Sequence, residues 1–203
     1  MNIVHLMGHK RREMNPDGKR TAIMEAGESL FAERGYAGTS IADIAKKANV
    51  AVGSVYRLFP DKPSLLAALH QRMERQFITV MTDAWYSVEP YEDKFEPLIQ
   101  ALLSEAFRLR EIMPLYSMTK DMIGAGGYVP GAEMMETIEN FYDAGVRVGA
   151  FRPIPNGILG PIAHSMVEGG MRALMMKPSA KHQNSVQSEL LEVFQRAFLK
   201  SSH

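Results

Sequence analysis

His164 and Glu168 stand four residues apart, so a helix would carry an imidazole and a carboxylate on one face. Such a pair can hold a metal, move a proton or make a hydrogen bond. A metal needs at least a third ligand, and none is evident at a matching spacing, so a hydrogen bond or a solvent contact is the expected role. The chain has no cysteine, which excludes disulfides and thiolate metal sites and suits a reducing, cytoplasmic setting. It also lacks a P-loop, a dinucleotide-binding glycine fingerprint, a His-Glu-x-x-His zinc motif and a Gly-x-Ser-x-Gly nucleophile elbow. No catalytic constellation emerges and no cofactor is implied. The chain reads as a binding protein, not an enzyme.

Net charge is zero over 203 residues, but it is unevenly spread. Residues 1–75 carry 12 Lys/Arg against 8 Asp/Glu, a net of +4, and residues 76–203 carry a net of −4. A basic end points to an anionic partner there. Lys10-Arg11-Arg12, in a leading arm over residues 1–18, is open to two readings: a phosphate contact or a solvated tail. At 46% hydrophobic, the chain can fill a packed core. No apolar run approaches the roughly 20 residues that span a bilayer, and the first residues lack the order of a signal peptide, so no membrane partner is expected.

The elements that must position these groups read as helices throughout. Asn15-Pro16-Asp17-Gly18 reads as a turn closing the arm. From Lys19 onward, Ile23, Ala26, Gly27, Leu30 and Phe31 recur on one helical face, and Gly35 can supply a left-handed stop. Ser40 with Asp43 fits a capping box, opening a second helix that buries Ile41, Ile44, Ala45 and Ala48. Asn49 tolerates the left-handed backbone that a tight turn requires. A short third helix, about 51–58, turns Val55 and Phe59 inward. Asp61 caps a long fourth helix, with Pro63 in its first turn and Leu65, Leu66, Leu69, Met73, Phe77 and Val80 along its apolar stripe. Further helices are predicted near 94–111, 113–123, 131–148, 157–176 and 183–200, divided at proline and glycine clusters. No strand alternation appears. The predicted class is all-α, with a three-helix unit over 19–66 and a larger helical domain over 67–203, about nine helices in all.

The two short helices with a tight turn between them make a helix-turn-helix. The stretch Gly35-Tyr36-Ala37-Gly38-Thr39-Ser40-Ile41-Ala42-Asp43-Ile44-Ala45, then Ala48-Asn49-Val50-Ala51-Val52-Gly53-Ser54-Val55-Tyr56-Arg57-Leu58-Phe59, then Asp61-Lys62, resembles the DNA-binding region of the TetR repressor family. The resemblance covers about residues 19–69. It implies a double-stranded DNA operator as partner, read by the third helix. It places Thr39 on a phosphate, with Ser40 beside it at the opening of the second helix. Gly53 would allow close approach to the bases, and Ser54 would reach a phosphate or base edge. Tyr56 would put its hydroxyl on a phosphate, Arg57 would meet guanine or backbone, and Lys62 would neutralise a further phosphate. Three departures stand out. Asn49 sits where the family usually has glycine. Ala51 replaces a serine cap, at a cost of about 1 kcal/mol. Val52 and Leu58 stand where polar side chains are frequent, and Val52 is suited to a thymine methyl.

The remaining residues are similar to that family's ligand-binding and dimerisation domain in size and helical pattern, and Gly149-Ala150-Phe151-Arg152-Pro153 resembles a common family junction. Nine of the 15 methionines fall between Met113 and Met176, interleaved with aromatics. They read either as an adaptable apolar pocket or as core. By family analogy, Trp85, Phe107, Met113, Tyr116, Met122, Phe141, Tyr142 and Met171 are the apolar candidates for a small apolar or aromatic inducer. Arg110, His164, Glu168 and Arg172 are the polar ones. Gly169-Gly170 and the stripe Val186, Leu190, Val193, Phe194, Ala197 and Phe198 suit homodimerisation through the last two helices, or closure of the monomer. The expected function is a ligand-responsive repressor on a pseudo-palindromic operator. The alternative is a helical small-molecule-binding protein with lost or altered DNA binding.

Overall fold

The computed structural model of the chain describes residues 15–113, 131–155, 157–176 and 179–200. Those residues form eight α-helices and one short 3-10 turn, and no strand beyond a single bridge. They fall into two compact units, Met1–Leu65 and Leu66–His203. The predicted helix over 113–123 lies outside the described residues beyond Met113, as does the basic arm.

The first unit holds α1 (Pro16–Arg34), α2 (Ile41–Lys47), α3 (Val52–Leu58) and the start of α4 (Lys62–Tyr86). The helix begins earlier than Asn15-Pro16-Asp17-Gly18 suggested. Asn15 Oδ1 accepts from the Gly18 amide at 2.7 Å, Pro16 occupies the first helical position, and Asp17 sits at the positive end of the dipole. Turn and N-cap draw on the same residue types, so the sequence did not separate them. Gly35, at φ 73°, closes α1. Ser40 and Asp43 form the expected capping box, with the Asp43 amide donating to Ser40 Oγ at 3.1 Å and the Ser40 amide to Asp43 Oδ2 at 3.1 Å. Asn49 adopts φ 55°, so the turn into α3 needs no glycine. Ile23, Phe31, Ile44, Val55, Phe59 and Leu65 fill the core. Ala45 is 1% exposed, which lets α2 and α3 cross closely.

Ala51 leaves α3 without a side-chain cap. Ala51→Ser is expected to stabilise the first unit by about 1 kcal/mol, because a hydroxyl would accept from a free amide of the first turn. Urea denaturation checks this, and an unchanged midpoint would mean that water already serves those amides equally well.

The second unit packs the rest of α4 with α5 (Phe95–Arg108), α6 (Ala132–Val148), α7 (Leu159–Met176) and α8 (Ala180–Phe198). Trp85 stacks on Phe141 with centroids 4.9 Å apart. Phe95, Tyr142, Phe151, Phe194 and Phe198 continue the aromatic core. Lys94 is 1% exposed and closes α4, donating to the Trp85 carbonyl and to Glu89 at 3.0 Å. The segment after α6 is pinned by Tyr142, whose hydroxyl donates to the Arg152 carbonyl. It is also pinned by the Phe151–Leu199 bridge, in which the Arg152 amide donates to the Phe198 carbonyl and the Lys200 amide to the Ala150 carbonyl, each at 3.1 Å.

The predicted dimer stripe divides in two. Phe194 and Phe198 are core of their own unit, whereas Val193 is 47% exposed. Gly170 is explained within the chain: a Cβ there would lie 2.9 Å from Leu190 Cδ2. At Gly169 a Cβ would meet nothing within 4 Å, and this glycine borders an open apolar groove with Ala173, Val186, Leu190 and Val193.

Candidate nucleic-acid interface

Burial of Val55 fixes which way α3 faces, because a helix that turns one residue inward turns the opposite ones out. Val52 is 41% and Tyr56 52% exposed, Gly53 and Arg57 are exposed, and Ser54 is half-buried. A Cβ on Gly53 would touch nothing within 4 Å. The outer face of α3 is therefore an apolar side chain, a bare stretch of backbone, a phenol and a guanidinium. Thr39 to Asp43, Val52, Tyr56, Asp61 and Lys62 border one shallow groove.

Two carboxylates border that groove, and both are engaged by helix ends. Hydrogen bonds from the Ser40 hydroxyl and amide hold Asp43 below its ordinary range, and the hydroxyl and amide of Ser64 do the same for Asp61. Ser40 is exposed and donates its hydroxyl to Asp43 at 2.5 Å.

Thr39 and Lys62, like Ser40, have protein partners. Thr39 is 2% exposed, and its Oγ1 lies 3.1 Å from the Leu30 carbonyl and 3.0 Å from that of Gly35. Lys62 Nζ donates to the carbonyls of Tyr36 and Thr39 at 2.9 and 3.0 Å and sits 4.2 Å from the Tyr36 ring centroid. The family resemblance assigned both groups to DNA phosphates, whereas in the folded chain both hold the connection between α1 and α2.

In the second unit, Trp85, Phe141 and Tyr142 line a cavity of about 40 Å³, together with Phe95, Leu98, Ile138 and Phe194 among others. Met171 is core, and Phe107 and Met113 are half-buried against that core. The polar candidates lie elsewhere. Arg110 is exposed beside its own Phe107 ring, and Arg172 pairs with Glu168 at 3.4 Å on the surface. His164 is half-buried, its ring facing Gly131. Tyr116 and Met122 lie outside the described residues. Among the described residues no three metal-ligating side chains come together. Sequence reasoning missed His70 and Glu74, which are buried in α4; Glu74 Oε1 accepts from the Met134 amide at 3.3 Å, at the start of α6. Burial holds the His70 imidazole below its ordinary range. Their spacing within the stripe of Leu66, Leu69, Met73 and Phe77 was the available signal.

A capped α2, a left-handed turn at Asn49 and an outward α3 over one core make a helix-turn-helix in three dimensions. Residues 23–69 match the sequence profile of the bacterial regulatory proteins of the tetR family. Curated transcriptional regulators are similar over part of the chain. The Mycobacterium tuberculosis "HTH-type transcriptional repressor Rv3405c" is 47% identical over 62 residues, 29% of this chain and 32% of that protein. The Pseudomonas putida "HTH-type transcriptional regulator TtgR" is 32% identical over 100 residues, 48% of this chain and 45% of that protein. The matches thus span from just under a third to just under half of those relatives' length. In fold the likeness to TetR-type proteins runs much further. A TetR-family regulator from a Shewanella species aligns over 90% of this chain and 99% of its own, with a TM-score of 0.73 at 22% identity. The "fatty acid degradation regulator FadR" of Bacillus halodurans aligns over 91% and 97%, with a TM-score of 0.70 at 16% identity. Among the described residues, no helix is long and apolar enough to cross a membrane.

Proposed function

We propose that this chain is a TetR-type transcriptional repressor that binds a pseudo-palindromic DNA operator as a homodimer and is released by a small apolar or aromatic ligand, acting in the cytoplasm. The observation that carries the reading is the outer face of α3, where Val52, Gly53, Tyr56 and Arg57 stand clear of the core with open space over Gly53. An α-helix, about 10–12 Å across with its side chains, suits a major groove about 12 Å wide. Arg57 suits a guanine edge, Val52 a thymine methyl, Tyr56 and Ser54 the phosphates, and Ser40 a phosphate alongside them.

The inducer reading draws on the apolar cavity between Trp85, Phe141 and Tyr142. At about 40 Å³ it has room for about one water, far below the 300–1,000 Å³ of a typical ligand site. The ligand must therefore enter by parting those rings, which ties binding to a change of conformation. Weakening operator affinity 100-fold requires the ligand to prefer the released state by about 2.7 kcal/mol.

The dimer reading draws on the groove beside Gly169 and on exposed Val193 and Ile162. Val193→Glu is expected to convert the dimer into folded monomers in analytical ultracentrifugation and to lose operator binding with it. A Val193→Glu dimer as tight as wild type would remove α8 from the interface.

The reading as a whole is tested by selecting genomic fragments bound by the purified protein and repeating the selection with Tyr56→Ala. Recovery of a common two-fold motif by the wild type, depleted by the variant, is expected. Recovery of no enriched sequence would sink the reading.

A further inference from the structure

We propose that Lys62 is a positioning residue, whose ammonium clamps the connection between α1 and α2 and thereby sets where α2 and α3 sit for DNA binding. The inference rests on the DNA-binding reading above, but assigns Lys62 a different task from a phosphate contact.

Residues 35–40 leave α1 through Gly35, in the left-handed region at φ 73°, and reach Ser40 without a helix or strand ladder of their own. The Thr39 amide reaches the Tyr36 carbonyl at 3.4 Å, and the connection's remaining acceptor capacity needs donors from elsewhere. The Thr39 hydroxyl lies between the carbonyls of Leu30 and Gly35, and the Lys62 ammonium serves those of Tyr36 and Thr39. A lysine has three N–H donors. Two are committed to those carbonyls, and the charge faces the Tyr36 ring at 4.2 Å. That ring packs on Phe31 in the core, at 5.3 Å between centroids. The path between is tight, since a Cβ on Gly38 would lie 2.5 Å from the Arg34 carbonyl oxygen. The connection ends at the Ser40 cap of α2, and Ile44 and Ala45 pack α2 into the core that orients α3. Lys62 opens α4, so one side chain ties the start of that helix to the position of the reading head.

The two roles differ in how binding responds to salt. Removing a phosphate-binding cation flattens the slope of log K against log salt by about one, because one fewer counterion is released. Removing a positioning group weakens binding and leaves that slope as it was. The probe is a duplex selected from a random-sequence pool by the wild-type protein. Lys62→Met is expected to bind it about tenfold more weakly, by the same factor at every salt concentration. In the free variant, amides of residues 35–40 exchange faster than in wild type. Lys62→Arg keeps the charge but not the compact head, so it is expected to weaken binding with the slope intact. A slope flattened by about one in Lys62→Met, or wild-type binding by Lys62→Arg, would overturn the clamp. So would unaltered exchange in the free Lys62→Met protein. If Lys62→Met does not fold, Lys62→Arg decides alone. If the wild type selects no duplex, the DNA-binding reading falls, and exchange in the free variants still decides the clamp.

Discussion

Gly53→Leu is expected to leave a fully folded, slightly stabilised protein that no longer binds its operator. Space over Gly53 is open: a Cβ there meets nothing within 4 Å among the described residues. Gly53 lies within α3, where leucine is a better helix former, by up to about 1 kcal/mol. On DNA the same side chain would occupy the closest approach between helix and bases. Holding α3 off the groove would forfeit the contacts of Val52 and Arg57 together, each worth about 1–3 kcal/mol, so affinity should fall at least about 30-fold. The pairing of opposite signs gives the prediction its force, because a variant that merely unfolds would lose both properties. Equilibrium binding and urea denaturation of the same preparation check it. A Gly53→Leu protein that binds as wild type would show that α3 does not approach the bases.

The second large effect is expected at Gly145, inside α6. Glycine in a helix interior costs about 0.5–1 kcal/mol relative to alanine, so Gly145→Ala should help if propensity alone mattered. A Cβ there would instead lie 2.2 Å from Phe151 Cδ2 and 2.3 Å from Cε2. Phe151 cannot yield easily. It is 2% exposed, stacked with Phe95 at 5.2 Å and Tyr142 at 5.3 Å, and its backbone is bridged to Leu199. Overpacking of that kind costs about 1–3 kcal/mol, and it also displaces the strap that closes the second unit. Gly145→Ala is therefore expected to destabilise by about 2 kcal/mol, net of the helix gain. Adding Phe151→Leu should recover part of the loss, a non-additivity expected only of residues in contact. Denaturation of the two single variants and the double variant measures it. Additive effects would mean that the contact is not the cause.

Local chemistry made the first unit readable from sequence. Ser40 and Asp43 can cap only a helix start at that spacing, and Asn49 at a turn between two apolar runs has few alternatives to the left-handed backbone that it adopts. The direction of α3 followed from Val55 and Phe59. The partners of Thr39 and Lys62 were not legible, because a hydroxyl or ammonium is equally suited to a phosphate and to a carbonyl. The choice depends on residues 9 and 26 positions away. In the second unit the periodicity placed the helices but not the pocket. Methionines and aromatics fill a core and line a site with the same surface, and only packing separates Trp85 and Phe141 from Met171. His70 and Glu74 were hidden by their setting in an apolar stripe, where polar residues are read past.

Protection of guanine N7 from methylation tests the central claim most directly, because N7 lies in the major groove and only a group entering that groove shields it. On the selected duplex, the wild-type protein is expected to protect guanines in two half-sites separated by a whole number of helical turns, about 10–10.5 base pairs each, and Gly53→Leu to protect none. Tight binding with every N7 left reactive would contradict the account, since it would mean that the outer face of α3 does not enter the groove.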